Sequence, residues 1–333
     1  MGGETLPFLP GSGRAWAWGP IMTDITRKLE VALSANTARA DTLKRLRGGD
    51  QAFAALTRIA AFTVLALLGG IMLSLLIGAW PAISTYGLSF LTTVRWAPNA
   101  MPEPILGGLS PLIGTLITSF VALLIAVPVG LGVAIFLTEL CPPRLMRPIS
   151  IAIEMLAGIP SIIYGMWGFF VLGPFLADNG LGGNLSLFNA SLILAIMVLP
   201  FIAAISRDVF ATVPPVLKEA AYGVGCTTWE VVRNVVIPYT RVGLIGGVML
   251  ALGRALGETM AVTFVVGNSF RLPQSIFSPG TTISAAIASE FAESADLHQS
   301  ALILLGLLLF VLTFCVLALA RLMLARLSKK AGA

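Results

Sequence analysis

Residues 112–137 read LIGTLITSFVALLIAVPVGLGVAIFL, a stretch that contains no charged side chain. A helix needs about 20 predominantly apolar residues to cross the hydrocarbon core of a bilayer. Residues 121–133 are apolar on every side, whereas a helix on the surface of a soluble protein keeps a polar face. The stretch therefore predicts a membrane-spanning helix, and it decides the class of the fold.

Five other stretches of the chain are also predominantly apolar and long enough to cross a bilayer. The six stretches together are residues 54–77, 112–137, 149–172, 187–205, 242–266 and 301–319. Backbone groups in lipid must be hydrogen-bonded within each segment, which favours helices. We expect an all-α, polytopic membrane protein with six transmembrane helices in a domain that spans residues 54–325.

The overall composition agrees with a membrane protein. Only 11% of the 333 residues are charged and 57% are apolar, whereas a soluble domain has roughly 25% charged residues. A soluble dehydrogenase, a nuclease and a secreted disulfide module are excluded as the main body of the chain. Three widely spaced cysteines indicate neither a disulfide framework nor a metal site. We expect no cofactor, no metal, and an ordinary loop position for the single histidine, His298.

The distribution of Lys and Arg predicts the orientation. Of the 21 basic residues, eighteen lie in the two terminal segments and in alternate loops, two lie in the remaining loops, and Arg254 lies inside a predicted helix. Cytoplasmic loops carry the excess of Lys and Arg. We therefore expect both termini in the cytoplasm, with residues 326–333 as a basic tail.

Residues 1–53 precede the first apolar stretch and are expected to form a partly disordered cytoplasmic extension. A weak amphipathic helix is predicted near residues 25–33. The basic run at residues 44–47 is expected to contact membrane lipid headgroups, and no nucleic-acid partner is expected. Since some 50 polar residues come first, the initial helix is predicted to stay in the mature protein.

The two long loops among those predicted to lie outside are residues 81–108 and 267–297. They are long enough for short interfacial helices or a docking platform, but too small for an enzyme domain. The chemistry must therefore lie in the helix bundle or in the cytoplasmic loop.

Two charged residues in the fifth stretch are the first candidates for a site. Arg254 and Glu258 are four residues apart, so on one continuous helix they would share a face and could pair. A stripe with Gly243 and Gly247 continues this face and permits close helix approach. Arg254 is therefore expected to face the bundle interior or a partner subunit. It would either contact an anionic substrate, balanced by Glu258, or form a structural ion pair, and the spacing favours neither interpretation.

A third charged residue and a proline occur in the third stretch. Glu154 lies near its cytoplasmic end and is interpreted as structural or interfacial. The run from Gly158 to Ser161 includes Pro160, which lacks a backbone donor and predicts a helix break. The break would either line a passage or only kink the helix.

The loop at residues 207–241 has the most specific pattern. A helix is predicted to start near Pro214 and Pro215. Glycines interrupt it, and a second, short amphipathic helix containing Trp229 is expected to run until Pro238. This helix, glycine turn and helix would form a compact knob able to dock in a groove of another protein; the alternative is an ordinary intracellular loop.

This loop resembles the EAA loop of permease subunits in ABC importers. The resemblance lies in Glu219, Ala220, Ala221, Gly225 and Pro238. Residues 114–119 (GTLITS), 157–165 (AGIPSIIYG) and 253–262 (GRALGETMAV) narrow the match. Together they resemble the permeases of bacterial phosphate-specific importers over about residues 55–325, and the last run favours one of the two sister permeases of that system.

The resemblance implies a type I ABC importer permease with a MetI-like fold in the bacterial inner membrane. Its expected partners are a second permease subunit, two ATP-binding subunits and a periplasmic phosphate-binding protein. The function implied is phosphate translocation by alternating access, with the EAA loop coupled to the ATPases. Residues that match Arg254 and Glu258 are implicated in phosphate movement in this family. Pathway hydroxyls are expected from Thr115, Ser119, Ser161 and Tyr164.

Catalysis is not expected. None of the five lysines follows a glycine, so the chain has no Gly-Lys-Ser/Thr phosphate loop, and ATP must be handled by another subunit.

Three other functions stay open at this stage. The first is a permease for another oxyanion, such as sulfate or molybdate. The second is an ion-coupled secondary transporter, although the two matched repeats usual in that class are not found. The third is a purely structural or signalling membrane subunit.

Overall fold

The structure is a computed structural model that describes the backbone of residues 19–331. Side chains are described for residues 50, 52–322, 325 and 326. The chain divides into two compact units, Met1–Ile71 and Met72–Ala333.

Twelve helices and one hairpin are assigned within the described residues. The helices are α1 Gly19–Tyr86, α2 Leu109–Ile135, α3 Pro143–Ala157, α4 Ser161–Trp167, α5 Gly173–Asp178, α6 Leu187–Phe210, α7 Pro215–Gly223, α8 Thr228–Val231, α9 Ile237–Leu256, α10 Met260–Val265, α11 Ile283–Glu290 and α12 Asp296–Ala331. Strands β1 Trp96–Ala97 and β2 Ile105–Leu106 pair antiparallel.

Six helical segments in the described part of the chain are long and apolar enough to cross a membrane. They are Ala52–Leu91, Leu109–Leu140, Ser161–Asp178, Leu187–Phe210, Thr228–Leu256 and Asp296–Leu322. The predicted all-α fold with six membrane helices is confirmed.

Residues 1–18 of the N-terminal extension lie outside the described residues, and residues 19–53 are helical. The partial disorder expected for residues 1–53 stays a prediction. The predicted weak helix near residues 25–33 is part of this longer helix. The physical reason is local, since the run is rich in Ala, Leu, Lys and Arg, which favour helix, and has no proline after Pro20 until Pro81.

The third predicted span, residues 149–172, is not one helix. Helix α3 ends at Ala157, and α4 begins at Ser161, directly after Pro160. Because Pro160 has no backbone N–H, the predicted break occurs there. The membrane-length segment therefore starts at Ser161 and not at residue 149.

The fifth predicted span, residues 242–266, is shifted and interrupted. Helix α9 ends at Leu256, and α10 starts only at Met260. The start of this span also differs from the prediction. The short loop helix that was expected to end at Pro238 continues into the span, so that one helical segment runs from Thr228 to Leu256. A π-helical turn at Val232–Val236 precedes the proline, and its wider hydrogen-bond spacing accommodates the missing N–H of Pro238.

The segments at residues 81–108 and 267–297 contain short structured pieces. A 3₁₀ turn covers Gly87–Leu91, and the ring of Trp96 in β1 stacks on Phe270 with 4.9 Å between centroids. His298 is not in a loop as predicted but in the first turn of α12, where its Nε2 lies 2.9 Å from Glu290 Oε2.

The second unit is held together by close helix packing. A Cβ built on Gly130 of α2 would lie 2.8 Å from the side chain of Ile202 in α6. Small residues allow backbones to approach where lipid supplies no hydrophobic driving force between helices. Near Pro81, Ser300 of α12 accepts the N–H of Ala82 at 3.0 Å and so joins α12 to the end of α1.

Gly114 provides a test of this packing. A Cβ at Gly114 would lie 1.9 Å from the carbonyl oxygen of Thr281. We expect Gly114→Ala to destabilise the purified protein by roughly 1–3 kcal/mol, because backbone has to move. The measurement is the thermal unfolding midpoint in detergent.

Gly132→Ala is the matched control in the same helix. Apart from its chain neighbours and the backbone of its own helix, no described atom lies within 4 Å of a Cβ built there, and alanine favours helix over glycine. The midpoint of this variant should be unchanged or slightly higher. Equal losses in the two variants would contradict the packing described.

Candidate functional site

Two helix breaks lie at the ends of two neighbouring spans in the second unit. The first break separates α3 from α4, and the second separates α9 from α10. Gly165 of α4 lies so close to α10 that a Cβ there would be 2.9 Å from the carbonyl oxygen of Ala261. Gly158 and Gly257, one in each break, are exposed in this chain. Irregular backbone in a membrane is tolerated only where protein covers it or where it lines a water-filled cavity, so the two breaks mark the candidate site.

Tyr164 joins the two sides of the first break. Its hydroxyl donates to the carbonyl oxygen of Leu156 in α3 at 2.8 Å. Its ring belongs to a buried cluster with Ala255 and Ala261, which flank the second break. Since the Tyr164 proton is already engaged with the backbone, this predicted pathway residue holds the break in shape.

The backbone at the second break is bonded from α11. Ser284 Oγ donates to the carbonyl oxygen of Glu258 at 2.7 Å. The start of α11 is held in turn by Thr115 of α2, whose Oγ1 accepts the N–H of Ile283 at 2.9 Å and donates to the carbonyl oxygen of Pro111 at 2.8 Å. Thr115, also predicted as a pathway residue, is therefore an anchor for α11.

Arg254 and Glu258 do not share a helix face, which corrects the prediction. Helix α9 ends at Leu256, so Arg254 lies in its last turn and Glu258 lies in the break. Arg254 is exposed in this chain and Glu258 is half-buried. The structure has no ion pair between these two described residues. The structural ion pair is therefore not formed here.

The glycine stripe on α9 packs within the chain. A Cβ on Gly243 would lie 2.7 Å from Val209 of α6, and a Cβ on Gly247 would lie 2.7 Å from Ile205. Leu250 is 58% exposed, and Arg254 one turn later is exposed too. The glycines thus close α9 onto α6, while Arg254 is left on an open face, the position expected for contact with a partner subunit or a passage.

A groove lies next to this open face. Its volume is about 630 Å³, and it runs between α6, α9 and α12. Leu250 and Phe314 are among its mainly apolar lining residues, and Arg321 is its basic residue. The groove therefore reaches Leu250, which lies one helical turn before Arg254.

The two remaining predicted hydroxyls are not engaged in the same way. Ser119 is 1% exposed, and its Oγ has no hydrogen-bond partner among the described residues. A buried polar atom without a partner costs free energy, so Ser119 is available for a polar ligand. Ser161 is half-buried and directly follows Pro160. No cluster of three or more potential metal ligands occurs in the described part of the chain.

The predicted knob is present on the loop between the fourth and fifth spans. Helix α7 carries Glu219, Ala220 and Ala221, and none of its residues is fully buried. Gly225 has φ +91°, a left-handed conformation that favours glycine. Thr227 and Glu230 then form a reciprocal capping box that starts α8.

Two ion pairs made by residues of α7 and of the end of α6 were not predicted. Lys218 Nζ lies 2.5 Å from Glu139 Oε1, and Arg207 Nη1 lies 2.8 Å from Glu154 Oε1. The second contact supports the structural interpretation of Glu154. Each pair joins residues more than 50 positions apart, so no local pattern in the sequence indicates it.

Six apolar spans, two neighbouring helix breaks at the ends of spans, and an exposed helical knob are the features of a multi-pass membrane permease subunit. The family described as binding-protein-dependent transport system inner membrane component matches residues 126–329. The chain belongs to this family.

Curated relatives narrow the position within the family. The phosphate transport system permease protein PstC of Mesorhizobium japonicum is 56% identical over 325 residues, covering 91% of this chain and 98% of the relative. The protein of the same name from Haemophilus influenzae is 54% identical over 296 residues, covering 83% and 93%. The predicted resemblance to permeases of phosphate-specific importers is confirmed.

Solved structures support the fold. A bacterial ABC transporter involved in import of the acidic polysaccharide alginate aligns with a TM-score of 0.55 and 16% identity, covering 80% of this chain and 96% of the other. The inward-facing MetNI methionine ABC transporter aligns with a TM-score of 0.54 and 21% identity, covering 65% and 94%. At these identities the comparison concerns the fold alone.

The anchoring role of Thr115 can be tested directly. Thr115→Val leaves the N–H of Ile283 without a partner, which should cost about 1–3 kcal/mol of stability. We expect faster amide hydrogen exchange at the start of α11 and a lower unfolding midpoint.

Thr118→Val is the control for that change. The hydroxyl of Thr118 bonds only to carbonyls of its own helix, at Gly114 and Thr115. Exchange in α11 should therefore stay as in the unmodified protein. Unchanged exchange in Thr115→Val as well would remove Thr115 from this role.

Proposed function

We propose that this chain is the permease subunit that moves inorganic phosphate into the cytoplasm across the bacterial inner membrane. The observation that supports phosphate as the substrate is the 56% identity, over 91% of the chain, to a phosphate transport system permease. Movement occurs by alternating access, driven by ATP hydrolysis on partner subunits. The chain is a transport subunit and not an enzyme.

Arg254 is the residue that meets the anion. It lies in a membrane-length segment, on an exposed face, without an ion pair to Glu258. A charged side chain facing lipid in a span costs at least about 2.5–3.5 kcal/mol, so such residues face a passage or a partner. The planar guanidinium fork matches an oxyanion in two hydrogen bonds.

Glu258 and two hydroxyls complete the proposed pathway. Glu258 is half-buried in the break four residues after Arg254, where its negative charge keeps phosphate from being held too tightly. Ser119 supplies an unpartnered hydroxyl, and Ser161 lies at the other break. Thr115 and Tyr164, whose hydroxyls bond to backbone, shape the pathway and hold it open.

Coupling to ATP occurs at the knob. The exposed α7, with Glu219, Ala220 and Ala221, and the turn at Gly225 dock onto an ATP-binding subunit. Pro238 follows the π-helical turn through which the knob continues into α9. Closure of the ATPases therefore acts directly on the helix that carries Arg254.

The assembly follows from the same proposal. It contains a second permease subunit (PstA-like), two ATP-binding subunits (PstB-like) and a periplasmic phosphate-binding protein (PstS-like), surrounded by lipid. The basic residues on alternate loops support an orientation with both termini in the cytoplasm. Residues 54–325 form the permease domain, and residues 326–333 form a basic tail.

Replacement of Arg254 tests the pathway. In the reconstituted complex, Arg254→Gln should lower ATP-driven phosphate uptake more than about tenfold, equivalent to at least 1.4 kcal/mol. Arg254→Lys keeps the charge but loses the fork, so an intermediate rate is expected. Size-exclusion chromatography checks that all subunits assemble. Uptake by an assembled Arg254→Gln complex at the unmodified rate would remove Arg254 from the mechanism.

Competition between anions tests the substrate. A tenfold excess of sulfate or molybdate should leave uptake of labelled phosphate nearly unchanged, which requires that phosphate be preferred at least about a hundredfold, or about 2.8 kcal/mol. Uptake of labelled sulfate or molybdate in preference to phosphate would show that the chain serves another oxyanion.

A further inference from the structure

We propose that Glu139 and Lys218 form a strut that transmits movement of the knob to helix α2. This inference rests on the proposed function and assigns two positioning residues to it. Lys218 Nζ lies 2.5 Å from Glu139 Oε1. The Glu139 side chain is 6% exposed and that of Lys218 is 21% exposed, so water screens this pair weakly.

The strut connects two functional elements. Lys218 lies in α7, immediately before Glu219 of the motif proposed to dock onto the ATPase. Glu139 lies in the π-helical turn Phe136–Leu140, which continues α2 beyond Ile135. Helix α2 carries Thr115, which anchors α11, and Ser119, which lies in the proposed pathway. A displacement of α7 is therefore delivered to the end of a pathway helix.

Few other contacts attach α7 to the spans. No residue of α7 is fully buried. Ala221 is the α7 side chain that packs against the buried cluster of Ala134 and Phe210. Among the described residues, the Lys218–Glu139 contact is the one ion pair that α7 makes. Helix α7 could pivot on the apolar contact, whereas the ion pair fixes its distance from the end of α2.

The ion pair is part-buried, and Glu139 is its more enclosed partner. Removal of one partner leaves the other charge without compensation, which is unfavourable to the extent that this charge is buried, whereas removal of both charges is often tolerated. A variant without either charge can therefore fold and assemble while it lacks the rigid link. This separates a role in coupling from a role in stability.

The experiment measures anion uptake per ATP hydrolysed in proteoliposomes that hold the complete complex. The variants are Glu139→Gln, Lys218→Met and the double variant Glu139→Gln/Lys218→Met. We expect each single variant to assemble, to hydrolyse ATP, and to show a ratio lowered about fivefold. The double variant should recover the unfolding midpoint but keep the low ratio. Lys218→Arg, which retains the pair, should keep the unmodified ratio.

Glu154→Gln is the matched control. It removes another ion pair, to Arg207 at 2.8 Å, but the Glu154 side chain is 52% exposed and the pair does not involve α7. Its ratio should equal that of the unmodified complex.

The two proposals fail in different ways in this experiment. Uptake is measured with whichever anion the unmodified complex carries, so a complex that carries an anion other than phosphate contradicts the proposed function and still tests the strut. An unmodified ratio of anion uptake to ATP hydrolysis in the double variant would overturn the strut, whether or not its unfolding midpoint recovers.

Discussion

The architecture depends on hydrogen bonds that satisfy backbone at the two helix breaks, after Ala157 and after Leu256. A carbonyl or N–H left without a partner in the hydrocarbon region of a membrane costs several kcal/mol. Ser284 bonds to the carbonyl of Glu258, and Tyr164 bonds to the carbonyl of Leu156. The breaks can exist because these side chains come from neighbouring segments of the same chain. The irregular backbone beside Arg254 is thereby held in one shape.

These hydrogen bonds and the course of the helices connect the candidate site to α2 and α11 and to the knob. Helix α11, which supplies Ser284, is held by Thr115 of α2, so hydrogen bonds join α2 to α11 and α11 to the break that precedes α10. On the other side, the knob continues through a π-helical turn into α9. Two helices therefore connect the knob with the second break: α9 ends at it, and α2 reaches it through α11.

The sequence predicts the spans well and the site only partly. Long charge-free stretches such as residues 112–137 identify a membrane helix by composition alone. Pro160 predicts the first helix break because proline has no backbone N–H. The break after Leu256 has no proline; it is stabilised by Ser284, which is 26 residues from Glu258. The four-residue spacing of Arg254 and Glu258 predicts one helix face only if the helix is continuous, and α9 ends between them. Lys218 and Glu139 are 79 positions apart, and only tertiary structure brings them together.

The central claim is that this chain moves phosphate only as part of an ATP-driven assembly. It is tested by the initial rate of labelled phosphate uptake into proteoliposomes. The preparations compared are the complete complex, this chain alone, and the partners without this chain, each with ATP and without it. The account predicts uptake by the complete complex with ATP and by no other preparation. Uptake by this chain alone without ATP, or no phosphate uptake by an assembled complex that hydrolyses ATP, would contradict it.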